Sequence, residues 1–450
     1  MIKNQVIDLR IESYGAFGEG VAHVDGFAVF VPYALVGELV ETLILSVKKG
    51  YAYGKVLSIK ERSEKRQIPK CEYFTRCGGC DIQHLLYSEQ LELKRNSVKE
   101  TLRRVGGVDV DVDAVYPSPN EYDCRNKLTL PFALIDGKAV LGFYSERTHR
   151  VVGIKKCLLS AWSEDLIKIT TDWANRYKLS VYDEKTNKGL LRALTARVAD
   201  GKIMITLVVT KESVPHLGEL CDEYKKQYPD GIMYLNINQK ETNVVLGDKC
   251  IHVFGDKKLM ASALGVSYEL SPLSFGQVND KVRDGMYAAV VSEISENDIV
   301  VDAYSGAGLM SVLCAKKAKQ VYGVEIIPDA VKDADDTARK NGVSSKVKNV
   351  VGDCSKVLPK LFDEIRRDEP TAKMTVILDP PRKGCDQTVL DSVLVCAPDK
   401  IVYVSCNPAT LARDLKTLTQ KYSINYVKLF DLFPQTKHVE SLVCLSRQTN

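Results

Sequence analysis

The chain has 450 residues, of which 45% are hydrophobic and 27% charged, with a formal net charge of +4. This length is sufficient for two or three domains, each with its own core. No run of about 18 apolar residues is present and Met1–Asp8 lacks a signal-peptide core, so the sequence predicts a cytoplasmic protein with no membrane partner. Thirteen cysteines, an odd number, favour ligands or nucleophiles over a disulfide framework.

Residues 1–60 consist of short alternating apolar runs separated by glycine, which is typical of a small five-strand barrel. Their motifs resemble the TRAM domain, an OB-like module that binds RNA. Barrels of this kind present a sheet face and loops to nucleic acid, although a purely structural barrel would have the same pattern. The motifs are Gly15-Ala-Phe-Gly-Glu-Gly-Val-Ala22, Val29-Phe-Val-Pro-Tyr-Ala34 and Tyr53-Gly-Lys-Val56.

Three cysteines then follow with the spacing C-x5-C-x2-C, at Cys71, Cys77 and Cys80. Three soft ligands this close together indicate a metal site, and a fourth thiolate would complete it. The spacing leaves zinc and a four-iron cluster both open, because each accepts thiolates. We therefore expect an α+β central domain over 61–255 that contains this site.

Residues 85–104 have apolar positions at helical spacing and predict an amphipathic helix. Alternating strands such as Ile203–Val209 continue to about residue 255. Arg125 and Lys127, near the start of this strand-rich region, are candidate RNA contacts, although exposed basic residues are more often simply solvated.

From residue 256 the pattern becomes strand, glycine turn, helix and strand, which predicts a doubly wound, Rossmann-like α/β domain over 256–450. Ile299–Ser311 is a strand that enters such a turn, where Gly306 and Gly308 allow a ligand to approach the backbone closely. Serine stands where a dinucleotide site has its third glycine, so NAD is disfavoured. Glu325 ends the next strand and can accept hydrogen bonds from ribose hydroxyls, which indicates a nucleoside-containing cofactor.

Two further aspartates follow predicted strands of the same domain. Asp353 is placed to meet an adenine, or alternatively to cap a helix. Asp379 ends an apolar strand, and two prolines after it fix the turn. Amino-group methyltransferases typically have an aromatic residue after Asp-Pro-Pro; Arg382 stands there, which indicates a different target atom.

Cys406 lies between a short β-branched run, Ile401–Val404, and good helix-forming sequence. A cysteine in a strand-to-helix turn lies near the positive end of a helix, which favours the thiolate. The carboxyl end of such a strand is also where open α/β sheets bind ligands. From position alone, a packed structural cysteine is an equal alternative.

The segment Ser405-Cys406-Asn407-Pro408-x-Thr410-x-x-Arg413-Asp414 resembles the nucleophile motif of the RNA uracil-5-methyltransferases, the family of bacterial 23S rRNA and tRNA 5-methyluridine enzymes. Other family motifs occur in order across nearly the whole chain. The motif Tyr122–Lys127 departs from the family pattern, because two extra residues separate Tyr122 from Arg125 or because Cys124 replaces a tyrosine. These motifs are Tyr122–Lys127, Phe275–Asn279 and Leu432–Glu440.

The resemblance implies methylation of uridine C5 with S-adenosyl-L-methionine as the methyl donor. It implies that Cys406 attacks uracil C6 and that Glu440 is the general base. It also implies that helix 85–104 packs against the catalytic domain. The residues expected to hold the donor are Gln277, Tyr304, Gly306, Gly308, Glu325, Asp353 and Asp379.

The resemblance further implies a [4Fe–4S] cluster with a structural or RNA-positioning role. The family carries its fourth ligand at a position that matches Cys157, so we expect Cys71, Cys77, Cys80 and Cys157 to bind the cluster, with Cys124 as the alternative fourth ligand.

The expected substrate is 23S rRNA, because tRNA enzymes of the family commonly lack the TRAM domain or the cysteines. A tRNA T-loop uridine is the alternative substrate, and a non-catalytic RNA-binding iron–sulfur protein is the alternative class. A radical methylthiotransferase is disfavoured by the cysteine spacing. We expect a monomer that does not act on DNA.

Overall fold

The computed structural model describes residues 1–15 and 18–448, and the strands within them form four sheets. Ala16 and Phe17, part of the first TRAM motif, lie outside the described residues. No helix in the described part of the chain is long and apolar enough to cross a membrane.

The N-terminal sheet has six strands in the order β1-β5-β6-β4-β3-β2, one more than predicted, because a two-residue strand pairs with β3. Alternate side chains such as Val29, Val31 and Ile44 point into an apolar core. The strands are β1 (Val6–Arg10), β2 (Ser13–Tyr14), β3 (Gly20–Val24), β4 (Phe27–Val31), β5 (Leu39–Val47) and β6 (Tyr51–Glu61).

This barrel contacts the cysteine segment through one end. The ring of Tyr33, two residues after β4, lies 5.5 Å from the ring of Phe74 and 5.8 Å from that of His84, measured between centroids. Beside them the buried carboxylate of Glu38 accepts two hydrogen bonds from the guanidinium of Arg66, at 2.5 and 2.8 Å. Burial of this ion pair fixes the barrel against residues 66–85.

The predicted helix over 85–104 is observed as α1 (Tyr87–Thr101), which continues as a π-helical turn, Leu102–Gly106. This turn packs on a C-terminal helix so closely that a Cβ on Gly106 would lie 2.6 Å from the carbonyl oxygen of Ala412. Strand β7 (Ala114–Tyr116) then joins the C-terminal sheet. Residues 87–116 therefore pack with the C-terminal part of the chain.

The central sheet has seven strands in the order β10-β9-β8-β11-β12-β13-β14, with two helices that share its apolar core. A hairpin, β15–β16, follows it and packs beside the C-terminal domain. The elements are β8 (Lys127–Ile135), β9 (Lys138–Tyr144), β10 (Val151–Gly153), α2 (Ser163–Arg176), β11 (Leu191–Ala199), β12 (Lys202–Val209), α3 (Leu217–Gln227), β13 (Ile232–Ile237), β14 (Lys249–Phe254), β15 (Leu259–Ala263) and β16 (Val266–Leu270).

The C-terminal sheet has eight strands in the order β19-β18-β17-β20-β21-β23-β22-β7. The strands from β17 to β21 are parallel, and β23 is inserted antiparallel between β21 and β22. The elements are α4 (Asp280–Ser292), β17 (Ile299–Ala303), α5 (Leu309–Ala315), β18 (Gln320–Glu325), α6 (Pro328–Lys340), β19 (Val347–Val351), α7 (Cys354–Asp368), β20 (Met374–Leu378), α8 (Gln387–Cys396), β21 (Lys400–Ser405), α9 (Pro408–Leu418), β22 (Tyr422–Phe430) and β23 (Glu440–Arg447).

This topology aligns the carboxyl ends of the parallel strands along one edge. Because β23 runs antiparallel, its first residue lies at that same edge. Ligands of open α/β sheets bind outside this edge, where the strand order reverses.

Candidate active site

Cys406 is half-buried and lies between the last residue of β21 and the first turn of α9. Asn407 caps α9, since its Oδ1 accepts a hydrogen bond from the N–H of Ala409 at 3.1 Å. The amide of Asn407 also donates to the carbonyl oxygen of Arg382 at 2.9 Å. The nucleophile motif therefore builds the turn that carries the thiol and joins it to the neighbouring 380–385 loop.

The last two residues of that motif, Arg413 and Asp414, form hydrogen bonds to the same 380–385 loop. The buried carboxylate of Asp414 accepts hydrogen bonds from the hydroxyl of Tyr403 at 2.6 Å and from the N–H of Cys385 at 2.8 Å. Arg413 donates to the carbonyl oxygens of Lys383 and Cys385, both at 3.0 Å. These bonds explain why an Arg-Asp pair follows the cysteine at this distance.

Glu440 is the first residue of β23 and is 3% exposed. The β21–β23 ladder ends with Ser405 opposite Ser441, so Glu440 and Cys406 directly adjoin its last pair, and the carboxylate is close enough to affect the pKa of the thiol. Burial raises the pKa of Glu440 well above its ordinary value, and the nearby Asp379 carboxylate raises it further, while Arg382 lowers it. A carboxyl group with a raised pKa can act as a proton acceptor near neutral pH.

The pKa of the Cys406 thiol is raised, first by burial and then by the carboxylate of Glu440. The guanidinium of Arg382 acts in the opposite direction and lowers it. Arg382 is exposed at the mouth of the crevice, so its charge faces both Cys406 and Glu440.

The glycine turn after β17 has a backbone that favours glycine, since φ is +55° at Gly306 and +77° at Gly308. A Cβ on Gly308 would lie 2.6 Å from the Cβ of Ala334 in α6. Tyr304, half-buried at the end of β17, also has a positive φ of 66°. Glu325 accepts a hydrogen bond from the N–H of Gly306 at 3.1 Å, which connects the ends of β17 and β18.

Two aspartates stand at the centre of the same edge. Burial raises the pKa of Asp302, in β17, to about 7, and raises the pKa of Asp379, just after β20, to about 7, with a further contribution from Asp302. Ser311 donates to Asp302 at 2.6 Å, so the serine that replaces the third glycine orients this carboxylate. With Glu440, these carboxyl groups form a buried acidic cluster whose raised pKa values favour protonation.

Asp353 caps α7, because its Oδ1 accepts hydrogen bonds from the N–H and the hydroxyl of Ser355 at 2.9 and 2.8 Å. The capping alternative is therefore confirmed, and its position after β19 still puts Asp353 at the ligand edge of the sheet. Gln277 lies in the loop between β16 and α4. Its carbonyl oxygen accepts a hydrogen bond from the amide of Asn126 at 3.0 Å, which fixes the backbone there.

Cys71, Cys77, Cys80 and Cys157 all line one cavity of about 220 Å³. Burial raises the pKa of Cys77 to about 11 and that of Cys80 to about 12. The sulfur of Cys77 accepts a hydrogen bond from the N–H of Gly79 at 3.4 Å. Within residues 1–15 and 18–448, no three His, Cys, Asp or Glu side chains converge closely enough to hold a single metal ion.

Two cations line this cavity and a third stands on the neighbouring strand, and none of them forms an ion pair with a described residue. Arg125 and Lys127 line it, and Arg197 stands directly opposite Lys127 in the β8–β11 ladder. Burial first, and then the charge of Arg197, lower the pKa of Lys127 to about 8. The buried Nε of Arg125 and Nη1 of Arg197 have no hydrogen-bond partner in the described part of the chain.

Sequence reasoning did not select Asp302 or Asn126 as site residues. Asp302 could have been found, because an acidic residue inside the apolar run Ile299–Ala303 must be buried with its charge. Asn126 could not, since its partner loop lies 151 residues further along the chain.

Comparisons with known proteins identify two families and several relatives that match this chain. The family model described as tRNA (Uracil-5-)-methyltransferase matches residues 198–448, and that of the TRAM domain matches residues 3–57. An uncharacterized RNA methyltransferase of Clostridium tetani is 40% identical over 99% of this chain and 97% of its own length. One from Caldanaerobacter subterraneus subsp. tengcongensis is 39% identical over 98% of each protein.

A solved structure resembles the whole fold. The tRNA (uracil-54, C5)-methyltransferase of Pyrococcus abyssi, in complex with S-adenosyl-L-homocysteine, superposes with a TM-score of 0.78 and 26% identity, covering 97% of this chain and 99% of that one. The chain therefore belongs to the RNA uracil-5-methyltransferase family, and it is an RNA methyltransferase.

Proposed function

We propose that the protein transfers a methyl group from S-adenosyl-L-methionine to C5 of a uridine in RNA through a covalent adduct on Cys406. The observation that carries this proposal is the proximity of Cys406 and Glu440, which adjoin the last pair of the β21–β23 ladder at the edge that also holds the glycine turn. The Glu440 carboxylate is close enough to raise the pKa of the Cys406 thiol. Two groups in this proximity can serve two adjacent ring atoms, C6 and C5.

Uracil C5 is a weak nucleophile, so direct attack on a methyl group is slow. In the proposed first step the thiolate of Cys406 bonds to C6, and its negative charge passes to an enolate whose C5 is nucleophilic. C5 then takes the methyl group as the bond from methyl to the donor sulfur breaks, which leaves S-adenosyl-L-homocysteine. Glu440 removes the C5 proton, the double bond reforms, and the Cys406 sulfur leaves as thiolate.

The charge distribution of the crevice fits this donor. The sulfonium of S-adenosyl-L-methionine is a cation. The raised pKa values of Asp302 and Asp379 reflect burial first and then a neighbouring carboxylate, which is Glu325 for Asp302 and Asp302 for Asp379. A bound cation would relieve that repulsion. Gly306 and Gly308 would admit the donor close to the backbone, and Glu325 would accept hydrogen bonds from its ribose. The P. abyssi enzyme, which contains the demethylated product, supports the same donor here.

We propose that Cys71, Cys77, Cys80 and Cys157 hold a [4Fe–4S] cluster. The four cysteines line one cavity of about 220 Å³, which provides space for a cluster between them. Arg125 and Lys127, which line the cavity, would supply positive charge beside a thiolate-bound, anionic cluster. The transfer of a methyl group needs no electron, so a bound cluster would have a structural role. It would join the segment Cys71–Cys80 to Cys157 of the central domain.

Cys157→Ser should lower iron and sulfide content per chain and weaken visible absorbance in anaerobically purified protein. Cys124→Ser is the matched control, because Cys124 does not line the cavity. Equal loss of iron in both variants, or zinc in place of iron in the unsubstituted protein, would contradict the cluster assignment.

We propose 23S rRNA as the substrate. The name of the P. abyssi relative favours a second candidate, uridine 54 of tRNA. Both RNAs should be isolated from a strain that lacks the gene and mapped by mass spectrometry for 5-methyluridine. Loss of 5-methyluridine from 23S rRNA supports the first substrate, and loss from tRNA alone supports the second. No loss from either RNA, with no methylation of either by the purified protein, would contradict the proposed activity.

A further inference from the structure

Glu440 follows a loop, residues 431–439, that connects β22 to β23. The ladder between these strands ends with Phe430 opposite Glu440, so the loop closes directly on the proposed base. Residues 431–439, all of which the structure describes, contain neither helix nor strand. Contacts from other parts of the chain must therefore hold the loop in one conformation, and with it the position of the Glu440 carboxylate.

Gln435 lies at the centre of this loop. It is fully buried, and its φ of +67° is in the left-handed region, which a residue with a side chain keeps only where its surroundings hold it there. Its carbonyl oxygen accepts hydrogen bonds from the N–H groups of Asp81 and Ile82, at 3.0 and 3.2 Å. These two residues directly follow Cys80, so the loop is attached through its backbone to the end of the cysteine segment.

The side chain of Gln90, in α1, completes this attachment. Its Oε1 accepts a hydrogen bond from the N–H of Gln435 at 3.1 Å, and its Nε2 donates to Oε1 of Gln435 at 3.0 Å. The same Nε2 lies within hydrogen-bond distance of the carbonyl oxygens of Ile82 and Leu85, at 3.1 and 2.9 Å. Gln90 is fully buried, so water does not compete for these bonds. One amide group therefore joins α1, the residues after the cysteine segment and the loop.

The side chain of Asp81 contacts the loop at a second point, nearer to Glu440. Its Oδ2 accepts a hydrogen bond from the N–H of Lys437 at 3.2 Å, and its Oδ1 lies 3.4 Å from Nζ of the same lysine. The hydroxyl of Thr436 accepts a hydrogen bond from the N–H of His438 at 3.3 Å, which closes a turn at this point. Only two residues separate Lys437 from Glu440, so the contact with Asp81 lies close to the base along the chain.

We propose that Asp81 and Gln90 are positioning residues for the base: they hold the 431–439 loop so that the Glu440 carboxylate meets the C5 proton. Proton removal depends on placement, and a displacement of about 1 Å in a reacting group can lower a rate about 100-fold. The inference rests on the role of Glu440 in the proposed function. The two residues should act on Glu440 and not on Cys406, because the turn between β21 and α9 carries the thiol separately.

The test compares two reactions of the full-length protein. Turnover on RNA that contains uridine requires the base, whereas covalent trapping by RNA that contains 5-fluorouridine requires only thiolate attack and methyl transfer. Asp81→Ala should lower kcat by about 10- to 100-fold and leave KM for RNA unchanged. Its single-turnover rate of trapping should also be unchanged. On uridine RNA, denaturing electrophoresis should show the methylated adduct retained on the protein.

Two further variants separate positioning from a general loss of structure. Asp81→Asn keeps an oxygen that accepts the N–H of Lys437, so it should recover most of the turnover. Gln90→Glu keeps the size of the side chain but turns a second oxygen toward the carbonyl oxygens of Ile82 and Leu85. It should therefore lose turnover and keep trapping, as Asp81→Ala does.

Glu89→Ala is the matched control. Glu89 precedes Gln90 in α1, but its carboxylate pairs with Nζ of Lys65 at 2.7 Å and not with the 431–439 loop. Turnover and trapping should both be unchanged in this variant. Thermal unfolding establishes that each variant is folded. Should Gln90→Glu fail to fold, Asp81→Ala decides the question, because the side chain of Asp81 is 20% exposed.

Unchanged turnover in folded Asp81→Ala protein would overturn the proposal. Equal losses of turnover and trapping would also overturn it, since the whole site would then be disturbed. A loss of bound metal in proportion to the lost turnover would contradict it as well, because the effect would then originate at the cysteines. Failure of the proposed function gives a different result: the unsubstituted protein itself would form no complex with 5-fluorouridine RNA.

Discussion

Cys406 and Glu440 lie one position beyond the last pair of the β21–β23 ladder, although 33 residues separate them in sequence. The antiparallel insertion of β23 beside a parallel strand produces this relationship, since it brings the start of one strand to the end of the other. A nucleophile that directly follows one strand and a base that begins the next are thereby brought to the same edge of the sheet.

Glu440→Gln should separate the two halves of the proposed reaction. The amide keeps the size of the side chain and removes its ability to accept the C5 proton, so the methylated adduct should accumulate. We expect a protein–RNA complex that survives denaturing electrophoresis, with turnover reduced by about 100-fold or more. Turnover at the unsubstituted rate, with no retained complex, would exclude Glu440 as the base.

The pH dependence of adduct formation should report the thiol of Cys406. Its pKa is raised above the ordinary value, so the reactive thiolate is scarce at neutral pH and increases as the pH rises. The rate of a single turnover should therefore increase with pH through the neutral and alkaline range. Arg382 lowers this pKa, so Arg382→Ala should move the increase to higher pH.

Arg382→Lys is the matched control for that shift, because it keeps the positive charge. Its pH profile should remain close to that of the unsubstituted protein. Identical profiles for the alanine and lysine variants would show that the charge of residue 382 does not act on the thiol.

Gly308→Ala should weaken donor binding and destabilise the protein. Residue 308 has a φ of +77°, and the added Cβ would lie 2.6 Å from Ala334 in α6. We expect a loss of about 1–3 kcal/mol in the free energy of unfolding and weaker calorimetric binding of S-adenosyl-L-methionine. Gly285→Ala in α4 is the control, because a Cβ there meets no atom within 4 Å. Equal effects at both positions would contradict the packing argument.

The buried ion pair between Lys94 and Asp431 should be needed to hold α1 on the catalytic domain. Nζ of Lys94 lies 2.6 Å from Oδ1 of Asp431, and both side chains are fully buried. Lys94→Met would leave the carboxylate buried without its cation, at a cost of about 3–5 kcal/mol in the free energy of unfolding.

Urea unfolding would measure this loss, and Asp431→Asn in the Lys94→Met background should recover part of it. Lys168→Met, which breaks an exposed pair with Asp172, is the comparison and should have little effect. A similar loss in both single variants would mean that burial does not govern the contribution of Lys94.

Much of the α/β domain could be predicted from sequence, because its signals are local. A strand, a glycine turn and a helix follow each other around Gly306, and an acidic residue ends the next strand. The pairing of β23 with β21 could not be predicted from the sequence pattern. A glutamate directly before an apolar run is usually an exposed charge at the edge of a strand, so only the family resemblance indicated that Glu440 is a catalytic base. The structure instead buries it.

The barrel and the cysteine site show where local pattern is insufficient. The two-residue strand Ser13–Tyr14 is too short to produce an alternating pattern, so the sixth strand was missed. Spacing identified three cysteines, but the choice between Cys124 and Cys157 depends on which one the central sheet brings to the cavity. Such contacts depend on how distant segments pack together, and the spacing of residues along one sequence does not reveal that packing.

Covalent trapping with RNA that contains 5-fluorouridine tests the central claim most directly. Fluorine at C5 cannot leave as a proton, so methyl transfer should end in a stable bond between the Cys406 sulfur and C6. With S-adenosyl-L-methionine present, we predict one RNA per protein chain, and peptide mass spectrometry should locate the bond at Cys406. Cys406→Ala should form no complex while it still binds the donor. A complex with the alanine variant, or normal methylation by it, would contradict the account.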